Sequence, residues 1–156
     1  MKYLEKKTRN KIDMSEENRS RQLIALIVFL VIGGIIVYSI YTGVLTIAVV
    51  KGRSMLPLLR EGDIVFIVKT RPENIHVGDV IVYQEPSGSL VVHRVIKIFI
   101  EAGKYYYVTL GDNNPGPDIY YGGRIPFDKV VGKVVEINDY IVKIPCIGGL
   151  ALKIRS

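Results

Sequence analysis

"LVVHRVIKIFI" (Leu90–Ile100) is the stretch that decides the fold class. It is dense in β-branched residues, which suit a pleated, half-buried surface better than a helix. From Leu90 to Ile96, two-residue alternation places Val91, His93 and Val95 on one face. Leu90, Val92, Arg94 and Ile96 then fall on the other. One of the chain's 2 histidines therefore sits inside a strand, on a partly apolar face. Similar short runs surround it: "VLTIAVV" (Val44–Val50), "DIVFIVK" (Asp63–Lys69), "DVIVYQE" (Asp79–Glu85) and "KYYYVTL" (Lys104–Leu110), then "KVVGKVVEI" and "YIVKI". Gly, Pro, Asn and Asp separate them, and Glu85–Ser89 and Glu101–Gly103 have the composition of hairpin turns. With no long helical pattern after Thr42, the expected class is mostly β, a partly open or barrel-like sheet domain.

Upstream the pattern is different. No charged residue occurs from Gln22 to Val50, and "LIALIVFLVIGGIIVYSIY" (Leu23–Tyr41) is apolar all round. A helix needs about 20 apolar residues to cross the hydrocarbon core. A buried core helix would have a polar face, and a cleaved leader would have a shorter apolar run and a small-residue cleavage site. An uncleaved signal anchor is the expectation. Lys2, Lys6, Lys7, Arg9, Lys11, Arg19 and Arg21 precede the run, against Lys51, Arg53 and Arg60 soon after it. The positive-inside rule then puts the N-terminus in the cytoplasm. The expected organisation is a basic cytoplasmic segment (1–21), a transmembrane anchor (22–42) and an extracytoplasmic β-rich domain (43–156). On that topology the sequon Asn18-Arg19-Ser20 faces the cytoplasm and stays unmodified.

Composition excludes several classes. The net charge of +6 is concentrated beside the apolar run, so it reads as a topology signal and no nucleic-acid partner is expected. A single cysteine, Cys146, rules out an intrachain disulfide. Its apolar setting in "KIPCIGGLAL" reads as a small buried hydrophobe. Two histidines without a cysteine cluster give no zinc pattern, and "GDNNPGPD" (Gly111–Asp118) lacks the register of a calcium-binding EF-hand loop. No metal or other cofactor is expected. There is also no G-x-S-x-G elbow.

What remains is a set of residues that gain meaning together. Ser54, in "KGRSMLPLLREGDIVFI" (Lys51–Ile67), stands before a Met-Leu-Pro turn. Alone it could be turn punctuation as readily as a nucleophile. A strand histidine is more often a hydrogen-bonded structural group than a catalyst, and Asp112 and Asp118 bound a Gly/Pro loop where aspartate is a common turn residue. A serine that attacks a carbonyl needs a base, however, and the base needs an orienting acid. The chain supplies Ser, His and an Asp-bearing loop in that order.

These segments resemble the boxes of the type I signal peptidases, peptidase family S26. "SMLP" followed by "REGDIVFI" is similar to the nucleophile box, and "HRV" (His93–Val95) to the second box. Histidine in place of lysine there marks the archaeal and endoplasmic-reticulum branch. "GDNNPGPD" resembles the third box and "VVGKVV" (Val130–Val135) the closing one. The resemblance implies a β-rich peptidase core behind one transmembrane helix. It also implies Ser54 as nucleophile, His93 as general base, Asp118 as the acid orienting His93, and Asp112 in a supporting role. The Ser54 backbone N–H would be one oxyanion donor, Met55 would pack beside substrate or in the core, and Pro57 would shape the turn presenting Ser54. The implied activity is removal of signal peptides with small residues near the cut. The implied partners are preproteins and membrane lipid, at the cell membrane or the endoplasmic-reticulum membrane. The alternative is a membrane-anchored β-domain scaffold or inactive paralogue.

Overall fold

The computed structural model describes the backbone of residues 2–138 and 140–145, with side chains from Asn18 onward. The expectations for Cys146 and for the tail beyond Pro145 lie outside the described residues. The chain divides into two compact units, Met1–Thr42 and Gly43–Ser156.

The first unit is a single helix, α1 (Lys2–Tyr41). It begins well before the apolar run, because the charged residues that precede the run are good helix formers. Its segment Asn18–Tyr41, 24 residues, is long and apolar enough to cross a membrane. Large apolar side chains such as Leu26, Phe29 and Val37 lie exposed along it.

The second unit is mostly β. Its strands are β1 (Leu45–Val49), β2 (Ile64–Val68), β3 (Val80–Gln84), β4 (Leu90–Glu101), β5 (Lys104–Leu110), β6 (Ile125–Pro126), β7 (Val130–Val134), β8 (Glu136–Ile137), β9 (Tyr140–Ile141) and β10 (Lys143–Ile144). The main sheet runs β1-β2-β7-β3-β4-β5-β6, with β10 also on β2, and β8-β9 form a separate hairpin. All pairings are antiparallel. Each strand foreseen from the pattern is present, but two long runs are broken. "KVVGKVVEI" yields β7 and β8, because Val135 turns aside to hydrogen-bond Phe66 and Val142. "YIVKI" yields β9 and β10, separated by Val142.

β3 is the centre of this unit. Its residues read as a continuous apolar run because both faces are covered. Val80 and Val82 join Met55, Leu59, Val65, Ile67 and Val134 in one core cluster. Ile81 and Tyr83 join Ile75, Val95, Tyr107 and Ile125 in the other. Full burial of one such aliphatic or aromatic side chain contributes about 1.5–3 kcal/mol. The paired strands thereby hold β4 firmly, with Ile81 opposite His93 and Tyr83 opposite Val91. The alternation read in β4 holds at its start, where His93 and Val95 are buried. The register then shifts between Val95 and Lys97, leaving Ile96 exposed. Such a bulge bends the strand and re-aims its later side chains.

Candidate active site

Ser54 opens the turn Ser54–Leu58, whose backbone is closed by Leu56 N–H to the Arg53 carbonyl (3.2 Å) and Leu59 N–H to the Met55 carbonyl (2.8 Å). The Leu56–Pro57 peptide is cis. Met55 and Leu59 are driven into the first core cluster, at 2% and 0% exposure, and this anchors the turn by its apolar members. Ser54 is left half-buried at the surface of a groove of about 460 Å³, whose lining also includes Val49, Gly52, Val91, His93, Asn114 and Asp118. Met55 is in the core, as one of the two expectations for it had it, and is also among the residues lining the groove.

The loop after β5 clasps this turn. Asn113 donates its backbone N–H to the Ser54 carbonyl at 2.8 Å, and its side-chain amide donates to the Arg53 carbonyl at 3.3 Å. Gly111 is the close-contact point. A Cβ there would stand 2.7 Å from the Ser54 carbonyl oxygen, 2.8 Å from His93 Nε2 and 2.9 Å from the Asn114 side-chain nitrogen. The absent side chain is what lets the Ser54 turn, the His93 ring and the loop converge. No hydrogen bond joins Ser54 Oγ to His93 Nε2 among the described residues, so convergence stops short of a closed Ser–His contact.

His93 and Asp118 do close. His93 Nδ1 lies 2.6 Å from Asp118 Oδ2, and both side chains are buried. The same oxygen accepts hydrogen bonds from Tyr83 (2.8 Å) and Thr109 (2.5 Å). Burial pushes the Asp118 carboxyl up. The hydrogen bonds from His93, Thr109 and Tyr83, with the attraction of the imidazole, outweigh burial and hold it below the usual carboxylate range. An ionised Asp118 can only accept, so His93 Nδ1 is the donor of this pair. Burial also pushes the Tyr83 phenol far up, so it stays a donor.

Asp112, from the same loop, goes elsewhere. Arg94 follows His93 in β4 and so points to the opposite face, where its guanidinium grips Asp112 at 2.8 and 2.7 Å. The third nitrogen reaches the Gly78 carbonyl at 2.7 Å. His76, the second histidine, is largely exposed, with Nδ1 3.8 Å from Asp79. Lys133, in the "VVGKVV" segment, pairs with Asp79 at 2.6 Å. Sequence reading did not single out Tyr83, Thr109 or Arg94. Their only signal was a polar atom at a buried or strand-central position, which is common and unspecific.

The β-rich unit carries a groove lined by Ser54, His93 and Asp118, in a chain that also has a helix long and apolar enough to cross a membrane. The family model for signal peptidase, peptidase S26, matches residues 23–99, a stretch that takes in the apolar run, Ser54 and His93. Over that stretch the chain is similar to that family. Among curated proteins it is 38% identical over 100 residues to the signal peptidase complex catalytic subunit SEC11 of Lachancea thermotolerans, a match covering 61% of this chain and 59% of that protein. It is 40% identical over 80 residues to SEC11 of Zygosaccharomyces rouxii, covering 50% and 47%. Against the human catalytic subunit SEC11C it is 33% identical over 101 residues, covering 61% and 53%. The chain thus spans roughly half to three fifths of the length of these relatives.

Proposed function

We propose that this chain is a membrane-anchored serine endopeptidase that removes N-terminal signal peptides from exported preproteins. The observation that carries the reading is the buried His93–Asp118 pair at 2.6 Å, facing a groove that Ser54 also lines. The family match and relatives named as signal peptidase catalytic subunits support the same substrate class.

In the proposed reaction a preprotein lies extended along the groove with its scissile carbonyl over Ser54. In the reaction Ser54 Oγ meets His93 Nε2 across the groove that both residues line. His93 takes the hydroxyl proton as Oγ attacks, and the charged imidazole is held by Asp118. The oxyanion meets the Ser54 backbone N–H, a preorganised donor. His93 then gives its proton to the leaving amine, and water resolves the acyl-enzyme by the reverse proton route. The substrate residues near the cut, small as the family resemblance implies, would lie in the groove that Ala48 and Gly52 also line. No step calls for a metal or cofactor.

The apolar segment of α1 is proposed as a signal anchor with its N-terminal side cytoplasmic, since the positive charge is concentrated before it. The β unit would then work on the extracytoplasmic or lumenal side. By analogy with the relatives named as complex subunits, the place to seek further subunits is an endoplasmic-reticulum-type membrane. The deciding experiment is cleavage of a preprotein by the full chain in detergent or lipid, with Ser54→Ala beside it. Cleavage by the native chain and none by the variant is expected. Full activity in Ser54→Ala would overturn Ser54 as nucleophile, and no cleavage by the native chain would favour the scaffold alternative.

A further inference from the structure

We infer that Tyr83 and Thr109 are positioning residues of this site, whose two hydroxyl groups hold the Asp118 carboxylate in place for His93. The inference rests on the peptidase reading above and adds two residues to it. Three donors from three neighbouring strands meet on a single oxygen: Tyr83 from β3, His93 from β4 and Thr109 from β5. Tyr83 and Thr109 are completely buried, at 0% exposure each, so water cannot replace either hydroxyl. The backbone adds a fourth tie, from Asp118 N–H to the Thr109 carbonyl at 2.8 Å. Asp118 comes from an irregular loop, and these ties to the sheet give it a defined position.

The arrangement has a chemical consequence. A buried carboxylate with a single donor is poorly stabilised as an anion, whereas one with several charge-assisted hydrogen bonds keeps its charge. The groups facing Asp118 are His93 on β4, Tyr83 on β3, Thr109 on β5, and Tyr120 from the segment after the loop. Tyr120 packs on Tyr83 with ring centroids 6.4 Å apart and is itself engaged by Glu85. Among the described residues, only Tyr83 and Thr109 add neutral donors to the reactive pair. Removing one makes Asp118 take up a proton at a higher pH, and with it the ordered Nδ1 hydrogen bond is lost.

The test uses the full chain in detergent micelles, as native protein and as Tyr83→Phe, Thr109→Val and Thr109→Ser. The expected result is an acid limb of kcat/KM that moves to higher pH in Tyr83→Phe and Thr109→Val. Activity on the plateau should fall about tenfold. Thr109→Ser keeps the hydroxyl and should restore both. A merely structural role would lower activity evenly and leave the acid limb in place, and that result overturns the inference. The Thr109 pair decides the matter if Tyr83→Phe fails to fold. An independent readout is the proton NMR signal of His93 Nδ1–H, which should lie far downfield and move in both donor-deleting variants. An unmoved signal in both also overturns the inference. Absence of cleavage by the native chain would overturn the peptidase reading alone, because the NMR signal does not depend on turnover.

Discussion

Arg94 holds Asp112 in a two-pronged grip, Nε to Oδ1 at 2.8 Å and the terminal nitrogen to Oδ2 at 2.7 Å. This occupies both oxygens of Asp112 on the face of β4 opposite His93. The two aspartates of one loop therefore do different work. Asp112 ties the loop to the sheet, and Asp118 meets the imidazole.

Asp118→Ala is accordingly expected to cost far more activity than Asp112→Ala. Loss of Asp118 should lower kcat by at least two to three orders of magnitude, as for a base that loses its orienting acid. Loss of Asp112 should cost about 1 kcal/mol of stability, since the pair is only partly buried, and a smaller factor in kcat/KM. Preprotein cleavage rates with parallel thermal melts separate the two. The opposite ranking would move the orienting role to Asp112.

His93→Ala should abolish cleavage as completely as Ser54→Ala. His93→Lys should restore little. A lysine ammonium has no second nitrogen to hold Asp118 while serving Ser54, and the adjacent carboxylate keeps it charged. Single-turnover cleavage at several pH values checks this, and recovery of native-like rates at alkaline pH would contradict it.

Gly111→Ala should inactivate without removing any functional group. The added Cβ would collide with the Ser54 carbonyl, His93 Nε2 and the Asn114 side chain at 2.7–2.9 Å. The loop would have to retreat from the Ser54 turn at a cost of about 1–3 kcal/mol. A folded, inactive variant by circular dichroism and cleavage assay is the expected result. Native activity would mean that the loop moves freely.

Stability should depend on pH through two carboxyl groups with opposite signs. Asp118 has a folded pKa below its ordinary 3.8, so its contribution is present above that value and is lost as pH falls through the lower folded value. Glu136 is raised above its ordinary 4.5, by burial first and by Asp79 second, with Lys133 and Arg94 opposing. It is therefore better tolerated protonated, and it costs stability once pH exceeds its raised value. Glu136→Gln should raise the melting temperature at pH 7 and make little difference below about pH 4. Melts across that range test the sign.

The sheet class was legible in "LVVHRVIKIFI" because β-branched residues and a period of two report directly on one strand and its two faces. The hairpin at Glu101–Gly103 was equally legible. Ala102 and Gly103 both take positive φ, 49° and 76°, as a tight turn between twisted strands requires. The bulge after Val95 was not legible, since an extra residue in β4 is defined only against its partner β5. Nor were the ends of β7 and β9, where Val135 and Val142 exchange the ladder for contacts with each other and with Phe66.

The same division runs through the site. Residue types and their order offered Ser54, His93 and an Asp-bearing loop as a set, and the resemblance of "SMLP", "HRV" and "GDNNPGPD" to the signal peptidase boxes singled them out. Residue types were enough to mark the apolar helix, whose length and lack of charge are properties of the chain itself. Local sequence treats Asp112 and Asp118 almost alike, as acids at two ends of one loop. The tertiary structure separated them, because β3, β4 and β5 lie side by side and bring Tyr83, His93 and Thr109 to one carboxylate oxygen. Hydrogen bonds between residues 9 to 35 positions apart depend on strand order and register, which no stretch of the chain carries alone.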